Sequence, residues 1–294
     1  MRHKYFMIFC IVSLLLLQAC SLQKSQAEPT AGTSNPLSST TEPTMPQTQT
    51  SALKETPIPL SELISTEDLA AYFDEYPNAV MLLSDGVSQI VFNEPFSTRR
   101  FSPYSTFKIC NSLIALEEGI VSVDDSLRRW DGTEHSRQEL RQDQDMASAI
   151  KYSAVWYYQQ LSKEVGETVM RARLNAVGYG NMDISGGIDK FWLDSSLLIS
   201  PQEQLNFIIR LYRNELPFSR GNMEYVKSIL RQEAYPIDIY GKTGSSGNGN
   251  GWFVGYTLLN KKPYFFSVYI EGEGASGALA RDKIAEILSK FLNK

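Results

Sequence analysis

Strand-forming sequence in this chain is split between two distant stretches, and that split limits the folds open to it. "NAVMLLSDGVSQIVFN" (residues 78–93) holds two apolar runs joined at Ser84-Asp85-Gly86 and reads as a β-hairpin. Near the C-terminus, "IDIYGKTG", "GWFVGYTLL" and "PYFFSVYIE" are rich in aromatic and β-branched residues, with Asn260-Lys261-Lys262 joining the last two. Between about Val121 and Tyr235 the pattern is mainly helical. One start there is well marked in "ISPQEQLNFIIRLY". Ser200 fits an N-cap, Pro201 the first turn and Glu203 the reciprocal cap, with Leu205, Ile208, Ile209 and Tyr212 on one face. Helices are also expected around Thr66 to Phe73 and over "ALARDKIAEILSKFLNK", where Ile284, Ile287, Leu288 and Phe291 fall at helical spacing. Strands at both ends with helices between them imply an α+β architecture: one antiparallel sheet, flanked by terminal helices, with a helical lobe inserted at about 121–235.

The first 56 residues belong to something else. Arg2 and Lys4 precede an apolar run from Tyr5 to Leu17, too short to span a bilayer and ordered like an export signal over residues 1–19. Leu17-Gln18-Ala19-Cys20 resembles the bacterial lipobox, which implies cleavage before Cys20 and lipid on that cysteine. An uncleaved membrane anchor is the alternative. Residues 20–56 are dominated by Ser, Thr, Pro, Gln and Ala and cannot bury a core, so they read as a disordered tether. A tether of that length spans on the order of 30 Å. The domain itself is expected over 57–294, exported and lipid-anchored at the cell envelope.

Composition narrows the chemistry. The 294 residues carry a net charge of −5, which gives no electrostatic case for nucleic acid. Of three cysteines, Cys10 lies in the signal and Cys20 is the lipid site, so Cys110 alone remains and reads as a small buried hydrophobe. Of two histidines only His135 survives processing. A Ser-His-Asp triad would rest on that residue alone, and a His/Cys metal site lacks ligands.

Ser-x-x-Lys occurs four times, at Ser21/Lys24, Ser51/Lys54, Ser105/Lys108 and Ser148/Lys151. Only Ser105/Lys108 opens a strongly apolar helix (Phe107, Ile109, Leu113, Ile114, Leu116), where i, i+3 spacing sets both side chains on one face. A nucleophilic serine needs a proton acceptor within reach and N–H donors for an oxyanion, and a helix start offers both. An N-capping serine followed by a snorkelling lysine is the competing reading. Ser153-Ala154-Val155 and Lys242-Thr243-Gly244 follow in order, and the ordered triple is the signature of serine enzymes acylated by penicillins. Arg281, three residues before Ile284, shares its inward face and suits a carboxylate; a surface pair with Asp282 or Glu286 is the alternative.

On these strings, with "STFKICNSLIALEEGIV", "RRWDGTE", "AIKYSAVWYYQQL" and "YGNMDISGGIDKFWLDSSLLISPQEQ", the chain resembles the class D serine β-lactamases over nearly all of residues 70–294. Tyr179-Gly180-Asn181 and Phe191-Trp192-Leu193 are particular class D marks, and the Glu-x-x-x-Asn loop of class A is missing. The resemblance implies the serine β-lactamase and transpeptidase-like fold and a penicillin substrate. It implies no metal and no cofactor beyond CO2 or bicarbonate, held as a carbamate on Lys108. Ser105 would be the nucleophile, Lys108 the base, Ser153 a proton relay beside Lys242, and Trp192 the carbamate's N–H donor. The backbone N–H groups of Ser105 and Ser245 would bind the oxyanion. Val155, Leu193, Thr243, Gly244, Ser245 and Arg281 would contact substrate, Arg281 through its carboxylate. Desolvation by Phe107, Val155 and Trp192 fits a neutral Lys108, the form that reacts with CO2.

Three departures concern the pocket rim: Tyr104 where the family usually has a small residue, Ser245 in place of a bulkier group, and no tryptophan in "RQELRQDQDM". The other readings are a β-lactam sensor that stays acylated, a transpeptidase, and an inactive lipoprotein. Sensors are joined to spanning helices, whereas this sequence offers a signal and a tether. The four intact residues Ser105, Lys108, Ser153 and Lys242 argue against an inactive protein.

Overall fold

The computed structural model describes residues 59–292, so the expected signal, Cys20 and the tether lie outside the described residues. Six strands form one antiparallel sheet: β1 (Val80–Ser84), β2 (Gln89–Phe92), β3 (Arg231–Gln232), β4 (Ile239–Ser245), β5 (Asn250–Leu259) and β6 (Lys262–Glu271), in the order β2-β1-β6-β5-β4-β3. The early hairpin joins the late strands through β1 and β6, with Leu82 opposite Ser267. Asn260 and Lys261 close β5 onto β6 with φ of 51° and 65°, the doubly left-handed turn whose twist suits a two-residue hairpin.

Ten helices accompany the sheet: α1 (Leu60–Leu63), α2 (Thr66–Phe73), α3 (Glu94–Ser97), α4 (Lys108–Glu117), α5 (Met146–Tyr152), α6 (Val155–Val165), α7 (Glu167–Val177), α8 (Pro201–Tyr212), α9 (Arg220–Ser228) and α10 (Gly277–Phe291). Both sheet faces are covered. Along β1, Val80 and Leu82 join one core with the lobe helices, while Met81 and Leu83 join a second core with Leu69, Phe73, Ile284, Ile287 and Leu288 of α2 and α10. Side chains alternate across a strand, so a strand covered on both faces must be apolar throughout, as "VMLLS" nearly is.

The lobe is less helical than its sequence suggests. Residues 118–145 contain no α-helix; they hold bends, a 3-10 turn at Gln138–Leu140 and an isolated bridge between Arg128 and Gln144. This stretch is rich in Asp, Arg, Ser and Gly and gives a helix no apolar stripe to bury. α8 begins where expected. Ser200 Oγ accepts from Glu203 N, Glu203 accepts from Ser200 N, and Pro201 fills the first turn. Ser200→Ala should remove this reciprocal cap, costing about 1 kcal/mol and lowering the melting temperature by roughly 2–4 °C; calorimetry checks it.

Candidate active site

Ser105 sits in a 3-10 turn, Tyr104–Phe107, that runs directly into α4. Three residues per turn place i and i+3 in line, so Lys108 falls beside the serine, its Nζ 2.7 Å from Ser105 Oγ. The turn is fixed from below: Thr106 Oγ1 donates to Pro103 O at 2.7 Å and accepts from Gln204 Nε2 of α8 at 2.7 Å. From one side, Tyr104 N donates to the Trp192 carbonyl at 3.1 Å. Tyr104 has a φ of 49°, a left-handed backbone immediately before the serine.

Lys108 is fully buried, with its Nζ 5.4 Å from the centroid of the Tyr158 ring. Burial pulls its pKa well below that of an ordinary lysine, and the charges that add to this are cations, Lys242 and Arg137. Trp192 packs against Phe107, 5.5 Å between ring centroids, and its buried Nε1 has no acceptor. That leaves an amine that holds its proton less readily than an ordinary lysine, and an orphaned indole donor, in the apolar wall around the serine.

Two further elements carry the other motif residues, α6 packed beside α4 and β4 beside the serine turn. α6 packs on α4, with Asn111 Nδ2 donating to Ser162 Oγ at 2.8 Å and Ser112 Oγ lying 2.9 Å from Tyr158 OH. Ser153 caps α5 in a left-handed conformation (φ 58°), and the kink carries its half-buried side chain and Val155 to the start of α6. On the opposite side β4 passes so close to the serine turn that a Cβ on Gly244 would stand 2.8 Å from Pro103 O and 3.2 Å from Thr106 Cγ2. Lys242 is buried on this strand, its Nζ donating to Thr243 O at 3.1 Å and Oγ1 at 3.2 Å. Burial lowers its pKa to about 7, aided by the charges of Arg137 and Arg281.

Of the expected contact residues, Thr243 and Arg281 line one cleft together with Lys242, whereas Val155, Leu193, Gly244 and Ser245 are not part of its wall. This cleft of about 320 Å³ is walled by Ile150, Tyr152, Gln232, Lys242, Thr243 and Arg281 among others. Arg281 therefore faces the cleft, yet its guanidinium also pairs with Asp282 at 3.2 Å and lies 5.4 Å from the Tyr235 centroid, so the inward and paired readings both describe it. Leu193 is half-buried after Trp192, and exposed Ser245 ends β4 with its Oγ accepting from Gly277 N at 2.8 Å. Cys110 is buried and its thiol pKa pushed up by that burial, in keeping with a packing role.

Sequence reasoning passed over Arg137. It lies in the polar loop 130–145, donates through its guanidinium to Tyr152 O beside Ser153, and acts on both buried lysines. Nothing in "RQELRQDQDM" marks one arginine above another; its role comes from where the loop lands.

A six-stranded sheet with a Ser-x-x-Lys turn facing a Lys-Thr-Gly strand defines a serine acyl-transfer fold. The model of the penicillin binding protein transpeptidase domain matches residues 65–290, and the chain belongs to that family. Within it the chain belongs to the class D β-lactamases. It is 37% identical to the solved class D β-lactamase from Bacillus subtilis, covering 76% of this chain and 94% of that one with a TM-score of 0.72. A probable β-lactamase of Bacillus subtilis, YbxI, is 40% identical over 204 residues, 68% of this chain and 75% of that protein. The regulatory protein BlaR1 of Bacillus licheniformis is 40% identical over 236 residues, but these are 77% of this chain and only 39% of that longer protein.

The depressed Lys242 pKa has a consequence for stability. The unfolded chain protonates this lysine up to its ordinary value of 10.5, whereas the fold sheds the proton near 7. Stability should rise with pH between those values, at up to about 1.4 kcal/mol per pH unit, and gain nothing from this group below them. Denaturant titrations across pH 7 to 10.5 check this, and Lys242→Met should flatten the slope.

Proposed function

We propose that this chain hydrolyses penicillins and related β-lactams through an ester on Ser105. The observation that carries the proposal is a fully buried lysine amine 2.7 Å from that hydroxyl, with no counter-charge to keep it protonated. Ser105 Oγ gives its proton to the base at position 108 as it attacks the lactam carbonyl, and the backbone N–H groups of Ser105 and Ser245 hold the oxyanion. As the lactam C–N bond breaks, the Ser153 hydroxyl passes a proton to the departing nitrogen, with Lys242 keeping the surroundings positive. Water then cleaves the ester and frees Ser105. Val155, Leu193, Thr243 and Gly244 wall the substrate, and Arg281 exchanges Asp282 for the substrate carboxylate.

Lys108 is suited to bind CO2 as a carbamate: the free amine adds to CO2 and releases one proton. The residues present fit that group, because the orphaned Trp192 Nε1 would gain an acceptor, the one polar contact an indole can make. When bound, the group supplies a carboxylate base for both acylation and deacylation. β-Lactam resistance follows from the activity.

We place the protein outside the cytoplasm at the cell envelope, held through lipid on Cys20 after removal of residues 1–19, with residues 20–56 as tether. The order of basic, apolar and small residues supports this, and among the described residues no helix is long and apolar enough to cross a membrane. Radioactive palmitate should label the wild-type protein in cells and not Cys20→Ser.

Mixing the protein with a chromogenic penicillin or cephalosporin should give turnover well beyond one equivalent. Ser105→Ala should lower the rate by more than about 10³-fold. A single stoichiometric burst would instead support a β-lactam sensor or a transpeptidase, the first being what the match to BlaR1 favours. Activity should also fall in CO2-depleted buffer, most at mildly acidic pH, and return with bicarbonate, because acid protonates the amine that must stay neutral.

A further inference from the structure

Tyr104 stands immediately before the serine, and its side chain is not idle. The ring is buried at 5% exposure, and the hydroxyl donates to Asp194 Oδ1 at 3.2 Å. The same hydroxyl accepts from Asn250 Nδ2 at 3.3 Å, and Asn250 Oδ1 in turn accepts from Tyr269 OH at 3.2 Å. The Tyr104 backbone N–H meanwhile donates to Trp192 O at 3.1 Å. One residue therefore grips the 192–194 segment at two points, Trp192 by main chain and Asp194 by side chain, and anchors it to β5 and β6. Both Tyr104 and Asp194 hold left-handed backbones, with φ of 49° and 50°, which non-glycine residues seldom adopt unless their surroundings fix them.

We propose that Tyr104 is a positioning residue: its hydroxyl, through Asp194 and Asn250, locks the segment that carries Trp192 so that the indole N–H stays aimed at the carbamate on Lys108. The proposal rests on the carbamate reading above. A small residue at this position retains the backbone bond to Trp192 and lacks the second grip. In its absence the indole spends less time in the donating orientation, and CO2 leaves Lys108 more readily. Tyr104 stays a donor at working pH, since burial raises its pKa against the opposing pull of the Asn250 amide.

The test uses the intact protein with ¹³C-labelled bicarbonate as probe, following the lysine carbamate carbon by NMR alongside β-lactam turnover. Tyr104→Phe keeps the ring and removes the hydroxyl. The bicarbonate concentration for half-occupancy should rise about two- to tenfold, the range for one net hydrogen bond. KM should stay close to that of the wild type, and kcat should recover at saturating bicarbonate. Asp194→Gly, which suits the left-handed backbone at this exposed site and removes the carboxylate, should shift occupancy in the same direction. Unchanged half-occupancy in both variants, with a normal carbamate signal in the wild type, overturns the clamp and leaves the proposed function standing. Absence of the signal from the wild type overturns the carbamate and the clamp together. A purely structural Tyr104 would lower the melting temperature without moving the bicarbonate titration.

Discussion

A lysine amine enclosed by aromatic and aliphatic side chains cannot readily keep its proton, and the rest of this molecule is arranged around that fact. Lys108 is fully buried, and among the described residues the ionised groups that reach it are Lys242 and Arg137, both cationic. Burial makes such an amine easier to deprotonate than an ordinary lysine, and its neighbour is the Ser105 hydroxyl. Leaving a buried polar group without compensation is costly, so the arrangement persists because the surrounding structure over-determines it.

The over-determination comes from the sheet and from α8. Gly244 lets β4 lie against Pro103 and Thr106 where a side chain would push the strand away from the serine turn, and the Trp252 indole of β5 donates to Ser102 O at 3.0 Å. Gln204 reaches from α8 to the same turn. The Ser105 turn is therefore held by three elements that lie far from it in the chain, β4, β5 and α8, and each is itself held by a core on one face of the sheet or the other.

The same scaffold explains why enzymes and sensors stand together among the relatives. Acylation needs a nucleophile, a base and an oxyanion hole; hydrolysis of the ester needs in addition a base that persists after acylation. The two outcomes therefore differ in the fate of the ester and not in how it forms.

Much of this was legible in residue order. The hairpin, the three late strands, α2, the cap of α8 and α10 all follow local rules of periodicity, turn chemistry and capping, which act over a few residues. The serine-lysine pair was legible for the same reason, since i, i+3 spacing at a helix start is a local relation. Three features were not. Residues 118–145 lack α-helix although the surrounding pattern is helical, the charge of Arg137 reaches both buried lysines from within that loop, and Tyr104 grips Asp194 and Asn250, 90 and 146 residues away. What residue order determined is the set of groups and their local geometry. Burial of Lys108, the meeting of β4 with the serine turn and the partners of Tyr104 were decided by tertiary packing, because desolvation and long-range contact depend on which surfaces close over a site.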